Sequence, residues 1–111
     1  MPIFISQGRY TPEAIKGMIT KPEDRADAVS RLFAKGGGRL LNYYVTFGEY
    51  DFLLIGEAPS ETQMAAILMA AASGGGVSDL RTTLAISSVE AKGAFAAAGD
   101  LAPGFRSAGG V

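Results

Sequence analysis

Two Gly-Gly-Gly triplets, at residues 36–38 and 74–76, divide the sequence into halves of matching design. In each half, the triplet follows a stretch with helical spacing of apolar residues and precedes a stretch with strand-like alternation. Glycine accepts the left-handed backbone in which helices commonly end, so each triplet predicts the end of a helix before a strand. A phosphate-binding loop would precede a helix instead, and no such site is predicted here.

The periodicity predicts the element order βαββαβ, with strands at 3–10, 39–47, 50–58 and 77–88 and helical regions at 11–35 and 61–73. The first helical region is expected to begin after Thr11 and to break near Pro22. It is expected to resume at Glu23, because Thr20 and Glu23 match a capping box. Gly48-Glu49 is expected to form a two-residue type II′ hairpin turn, with Gly48 as its structural glycine at positive φ.

This order predicts an α+β, ferredoxin-like fold, in which a four-stranded antiparallel sheet carries its helices on one face. Residues 1–89 are expected to form that domain. Residues 90–111 are an Ala/Gly-rich C-terminal segment, expected as a short helix, a flexible tail or both. The alternative is an arm in which Phe95 or Phe105 docks on a neighbouring subunit.

The face of the predicted hairpin turned away from the helices is too apolar to stand in water. It combines polar groups with four large side chains, namely Leu40, Tyr44, Leu53 and Ile55. Nothing else in the predicted fold covers that face, so we expect a second copy to pack on it sheet to sheet, as a homodimer or higher homo-oligomer.

The sequence has 111 residues, a net charge of −1, and no Cys, His or Trp. Disulfides, Cys/His zinc sites, histidine-ligated haem and histidine-based catalytic triads are therefore excluded, and no metal or cofactor is predicted. We find no basic run suited to nucleic acid, no apolar stretch of about 20 residues suited to a bilayer, and no signal peptide. We therefore expect neither a nucleic acid nor a membrane as a partner, and we expect a cytoplasmic location.

Polar and aromatic side chains near the hairpin form the candidate ligand-binding set, which is Arg25, Tyr44, Thr46, Tyr50 and Asp51. Each has a structural alternative. Asp51 can accept hydrogen bonds from loop N–H groups, Tyr50 can be a core or interface ring, and Arg25 can pair with an acid such as Glu23.

Five short motifs in order resemble the GYD-domain family over about residues 3–88: Tyr10-Thr11-Pro12-Glu13-Ala14-Ile15, Pro22-Glu23-Asp24-Arg25, Gly37-Gly38, Phe47-Gly48-Glu49-Tyr50-Asp51 and Glu57-Ala58-Pro59. The resemblance implies a ferredoxin-like oligomer of the dimeric α/β-barrel kind and no general activity. The stretch Gly48–Val77 also resembles the effector-binding domain of leucine-responsive regulators. The sequence has no helix-turn-helix segment before it, so a DNA-binding role is not implied.

Three functions follow as hypotheses. The first is a small-molecule-binding or sensing oligomer that uses the inter-subunit sheet face. The second is a cofactor-independent enzyme, isomerase or oxygenase-like, whose base would be Asp51, Glu57 or a tyrosinate with a strongly shifted pKa. The third is a purely structural self-assembling module.

Overall fold

Four strands and four helices make up the chain in the computed structural model, which describes residues 1–110. The elements are β1 (Ile3–Tyr10), α1 (Pro12–Thr20), α2 (Arg25–Lys35), β2 (Arg39–Val45), β3 (Phe52–Glu57), α3 (Glu61–Ser73), β4 (Val77–Ala85) and α4 (Ser88–Leu101), followed by a short 3-10 turn (Ala102–Gly104). All sheet pairings are antiparallel, and the strand order is β2-β3-β1-β4. The predicted α+β, ferredoxin-like fold is confirmed.

The core lies between one face of the sheet and the helices α2 and α3. Along β1 and β3 every second residue is buried, so one face of each strand is inward. That face presents Phe4, Phe52 and Leu54 to Phe33 of α2 and to Met64 and Ile67 of α3. The opposite face carries no helix of this core, and its apolar side chains Ile3, Ile5, Leu53 and Ile55 are only partly buried. We call these four residues, with Tyr44, the outer face.

Side-chain caps start the helices close to where the sequence predicts. Thr11 Oγ1 accepts from the Ala14 N–H, and Ser60 Oγ accepts from the Gln63 N–H. The predicted start of α2 at Glu23 is wrong. Thr20 Oγ1 donates to the Lys16 carbonyl instead of capping a second helix, and Asp24 caps α2 by accepting from the Ala26 N–H at 3.0 Å.

The predicted two-residue turn at Gly48-Glu49 is also wrong. β2 ends at Val45 and β3 begins at Phe52, so residues 46–51 connect them, although Val45 still pairs with Phe52 as a two-residue loop would require. Gly48 has φ 159°, close to extended backbone and far from the about +60° of a II′ turn.

An irregularity in β2 moves Leu40 to the core side of the sheet. Leu40 pairs with Gly56 and Asn42 with Ile55, so Leu41 is an extra residue, a β-bulge. The prediction that Leu40 lies on the uncovered face is therefore wrong, since a bulge reverses the inward and outward positions beyond it. Val45 pairs with buried Phe52 and is nevertheless 59% exposed, and Phe47, beyond the end of β2, is 98% exposed.

The C-terminal segment forms a longer helix than expected. Ser87 and Glu90 make a reciprocal capping box that starts α4, which runs for 14 residues. That cap also ends β4 at Ala85, three residues before the predicted end at Ser88. Within residues 1–110, none of the helices combines the length and the apolar character needed to cross a bilayer.

Candidate functional site

A cavity of about 480 Å³ lies between the inward face of the sheet and the helices α1, α2 and α3. Its walls are mainly apolar, with Met18, Val29, Leu32, Leu68, Val77 and Leu80 among the lining residues. Packed protein interiors rarely leave voids larger than a water molecule, whereas this volume falls within the range of small-molecule sites. The cavity is therefore the candidate functional site.

Small residues on the helices account for the empty space. The helical side of the cavity is lined in part by Ala14 and Gly17 of α1, Ala28 of α2 and Ala71 of α3. These side chains are too short to fill the volume that leucine or phenylalanine would occupy in a packed core. The apolar spacing is enough to form the helices, but the residues facing the sheet leave the interior hollow.

Two tyrosines place a pair of hydroxyl groups in this mainly apolar wall. The hydroxyls of Tyr10 and Tyr43 lie 2.5 Å apart and share a hydrogen bond. Both rings pack on Phe52, with ring centres 5.3 Å and 5.8 Å away. One hydroxyl must donate to the other, so the acceptor's own proton is available to an oxygen atom of a bound molecule.

Burial sets the protonation state of this pair. Burial raises the pKa of Tyr10, although its hydrogen bond with Tyr43 and the charge of Arg25 act in the opposite direction. Burial is also the largest cause of the raised pKa of Tyr43, and the hydrogen bond with Tyr10 raises that pKa further. Both phenols are therefore neutral hydrogen-bond donors at physiological pH.

Arg25 lies at the wall of the same cavity, at the start of α2. Its Nη1 is 3.4 Å from Glu23 Oε1, in an ion pair that is partly open to solvent. Lys21 lines the cavity too. The two cations against one acid leave the cavity wall with an excess of positive charge.

The other candidate residues do not join Arg25. Tyr44 pairs with Leu53 on the outer face, is 54% exposed, and accepts a 3.4 Å hydrogen bond from Asn42 Nδ2. Tyr50 lies under the guanidinium of Arg9, 5.8 Å from the ring centre. The structure thus separates Tyr44 from Arg25 by the thickness of the sheet.

Thr46 and Asp51 hold the β2–β3 connection in place. Thr46 Oγ1 donates to the Tyr50 carbonyl at 2.7 Å, and the Thr46 N–H donates to the Asp51 carbonyl at 2.8 Å. Asp51 Oδ2 accepts from the Tyr10 N–H at 2.9 Å, and the Asp51 N–H donates to the Gly8 carbonyl. Asp51 therefore ties the connection to β1 and positions the backbone of Tyr10.

Tyr10 and Tyr43 are the residues that the sequence reasoning did not assign to a site. Each falls at an inward position of its strand, where a phenol needs a hydrogen-bond partner. That requirement is the signal that could have found them. The two side chains come into contact because β1 and β2 lie on either side of β3. No local sequence pattern predicts that strand order.

The fold and the cavity together define a ferredoxin-like α+β protein with a hollow core. Among the solved structures that share this fold are the following two. One is TTHA0845 from Thermus thermophilus, with a TM-score of 0.53 and 17% identity, over 79% of this chain and 96% of that chain. The other is FFRP-DM1, with a TM-score of 0.50 and 15% identity, over 78% of this chain and 100% of that chain.

The family model of the GYD domain matches residues 4–95, so the chain belongs to the GYD-domain family. The family resemblance predicted from the five motifs is confirmed. No curated protein matches the sequence. The two structural neighbours are similar in fold alone, and neither the family nor these neighbours indicates a specific function.

The tyrosine pair predicts a loss of stability at alkaline pH. Both phenols have a higher pKa in the folded than in the unfolded chain, so the unfolded chain releases these protons first as the pH rises. Their contribution to the free energy of unfolding is therefore constant below about pH 10 and falls above it, by at most about 1.4 kcal/mol per pH unit for each phenol. Urea unfolding of wild type and Tyr43→Phe between about pH 8 and pH 11 measures this effect.

We expect the stability of Tyr43→Phe to decline less steeply than that of wild type, because one of the two titrating groups is gone. Tyr44→Phe, which removes the same atom on the outer face, is the matched control and should follow the wild-type pH profile. Equal slopes for Tyr43→Phe and wild type would contradict the assignment.

Proposed function

We propose that this protein binds a mainly apolar small molecule carrying an anionic oxygen group, in the cavity between the helices and the sheet. The observation that carries the proposal is an apolar volume of about 480 Å³ in which the Tyr10–Tyr43 pair offers a hydroxyl proton. An apolar body gains free energy by leaving water for these walls.

Charge favours an acid over a neutral ligand of the same shape. Arg25 and Lys21 outnumber Glu23 at the cavity wall, so a carboxylate there gains a charge-assisted hydrogen bond worth about 1.5–3 kcal/mol. That range corresponds to about tenfold to a hundredfold in affinity. Apolar carboxylic acids, aliphatic or aromatic, are the class of ligand that fits both the apolar walls and the positive charge of the cavity.

This proposal differs in place from the site predicted at the inter-subunit sheet face. There Tyr44, Thr46, Tyr50 and Asp51 were expected to contact a ligand. Thr46 and Asp51 are already engaged with backbone groups, and Tyr44 lies on the far side of the sheet from Arg25. These arrangements support the helical side of the sheet as the binding side.

The protonation states and partners of the groups considered as catalytic bases support a binding protein rather than an enzyme. The raised pKa of Tyr10 and of Tyr43 keeps both protonated, whereas a tyrosinate base needs the opposite shift. Asp51 accepts from a backbone N–H, and Glu57 forms a 3.3 Å ion pair with Arg39. Each carboxylate therefore has a structural role.

Self-association belongs to the same proposal. The outer face presents partly exposed isoleucine and leucine side chains, which support a sheet-to-sheet homodimer of the dimeric α/β-barrel kind. The cytoplasmic location predicted from the sequence is also part of this proposal.

Calorimetric titration with decanoate and with decanol tests the ligand class. Wild type is expected to bind decanoate more tightly than decanol. Arg25→Gln is expected to raise the decanoate Kd about tenfold and to leave the decanol Kd unchanged. Arg31→Gln, at an exposed position of the same helix, is the matched control and should bind like wild type. Equal decanoate affinities for Arg25→Gln and Arg31→Gln would show that Arg25 does not contribute to decanoate binding.

The place of binding is tested by filling the cavity. Ala71→Phe puts a ring into the space that Ala71 lines, whereas Ala72→Phe puts the same ring on the exposed side of α3. We expect Ala71→Phe to lose binding of both decanoate and decanol, and Ala72→Phe to bind both like wild type. Circular dichroism should show that each variant is folded. Unchanged binding to folded Ala71→Phe would place the ligand elsewhere.

A further inference from the structure

The helix α4 stands away from the rest of the molecule. Its side chains are exposed along its length, apart from partly buried Ala91, and its substantial contacts are only with the 3-10 turn that follows it. The described chain measures 62 × 31 × 21 Å, an elongated shape for a chain of this size. The capping box at Ser87, two residues after β4, fixes the helix start at the edge of the domain.

An apolar stripe runs along this helix although nothing in its own chain covers it. The stripe follows helical spacing, at Ala91, Ala94, Phe95, Ala98 and Leu101. Phe95 and Leu101 are 76% and 75% exposed, and Phe105 beyond the helix is 77% exposed. Alanine between these large side chains allows a second helix to approach closely.

A cleft lies at the base of the same helix. Two acids, Glu61 and Glu90, line it together with six apolar residues, namely Met1, Pro2, Ile3, Leu84, Ala85 and Ile86. Leu84 and Ile86 are more than half exposed. Since Glu90 lines the cleft and Ala91 is partly buried, the stripe continues outward from the cleft on the same side of the helix.

The stripe and the cleft fit each other across a two-fold axis. Phe95 lies at the middle of the helix, which is about 21 Å long. If two copies of α4 pack antiparallel about Phe95, the Leu101 and Phe105 end of each helix reaches the Leu84 and Ile86 end of the other. A two-fold interface requires this reciprocity, in which one surface patch meets itself.

We infer that α4 is an exchange arm for a second copy of this chain, with the two helices packed antiparallel and each arm tip seated in the other copy's cleft. The inference rests on the self-association part of the proposed function but uses another surface, which meets the outer face only at Ile3. At about 200 Å² for a fully exposed large side chain, the exposed surface per chain is about 670 Å² for the five residues Phe95, Leu101, Phe105, Leu84 and Ile86. With the alanines added, this approaches the about 800 Å² per partner of a standard interface.

A lipid surface fits the arm less well. Helices that lie on membranes carry Lys and Arg on their polar face, with few acids. Residues 88–106 contain two acids and two cations, namely Glu90, Lys92, Asp100 and Arg106. This balance provides no net attraction to an anionic bilayer, and a second copy is the occupant the charges favour.

Light-scattering mass after gel filtration tests the arm. We expect Phe95→Asp to lower the mass of the assembly, because it buries a charge in the middle of the contact. Ala96→Asp, which places the same charge on the side of the helix opposite the stripe, should leave the mass as in wild type. Leu53→Asp, on the outer face, reports separately on the sheet-to-sheet contact of the proposed function.

A chain without cysteine also allows direct cross-linking. Under mild oxidation Ala94→Cys, on the stripe, is expected to give a covalent dimer that Ala96→Cys, on the opposite side of the helix, does not give. An assembly that loses mass with Leu53→Asp but not with Phe95→Asp overturns the arm and leaves the outer face as the contact. A monomeric wild type overturns both contacts. Sedimentation of the protein with vesicles of phosphatidylglycerol and phosphatidylcholine only while Phe95 is present overturns the arm alone.

Discussion

Alanine in place of Gly38 is expected to destabilise the folded chain by about 3 kcal/mol or more, since this overpacking falls on backbone atoms. A Cβ at this position would overlap the Glu57 carbonyl oxygen and lie 3.1 Å from the Ala58 Cα. Those atoms end β3 where it pairs with the start of β2, so they cannot yield without breaking the ladder. Urea unfolding followed by circular dichroism measures the loss.

Gly17→Ala is the matched control for this substitution. Gly17 lies inside α1 with nothing within 4 Å of an added Cβ. The same change should therefore stabilise the chain there, by about 0.5–1 kcal/mol, because alanine loses less backbone entropy in a helix. If the two variants unfold at the same urea concentration, the close approach of Gly38 to β3 is not a feature of the folded protein.

Phe33→Ala is expected to cost about 3–5 kcal/mol, the range for removing a buried aromatic ring. Phe33 is 1% exposed, and its ring covers Gly56 of β3, where a side chain would leave it no room. A domain of this size is stable by only about 5–15 kcal/mol, so the variant loses much of its margin. Thermal and urea unfolding report the change.

Phe47→Ala removes the same atoms where the ring is 98% exposed. Its stability should stay within about 0.5 kcal/mol of wild type, as for most surface substitutions. Equal losses for the two phenylalanines would contradict the placement of Phe33 as the contact between α2 and the sheet.

Elements defined by local signals could be predicted from the sequence. β1 and α3 have the predicted bounds, because alternation marks the first and the Ser60 cap and glycine triplet mark the second. The start of α2 was wrong because two capping residues, Thr20 and Asp24, compete within five positions. Which one caps depends on the bond that Thr20 makes back to Lys16, and that bond is not visible in the pattern.

The site was harder to predict because it depends on contacts between distant parts of the chain. Asp51 and Arg25 could be selected as polar residues at plausible positions, but their surroundings depend on sheet order and on a bulge at Leu41. The Tyr10–Tyr43 pair spans β3, and the cavity arises from small residues on three separate helices. Hydrophobic periodicity specifies which side of a helix is inward and does not report how much volume remains there.

Both edge strands of the sheet carry an interruption. In β2 it is the extra residue Leu41, and in β4 it is Asp79, whose φ of 52° lies in the left-handed region beside the shift between Gln7 and Arg9. An unbroken free edge can recruit further strands without limit and so lead to fibrils. Because each free edge here is twisted out of register partway along, strand-by-strand growth is obstructed, and a chain rich in exposed apolar groups is steered towards assemblies of finite size.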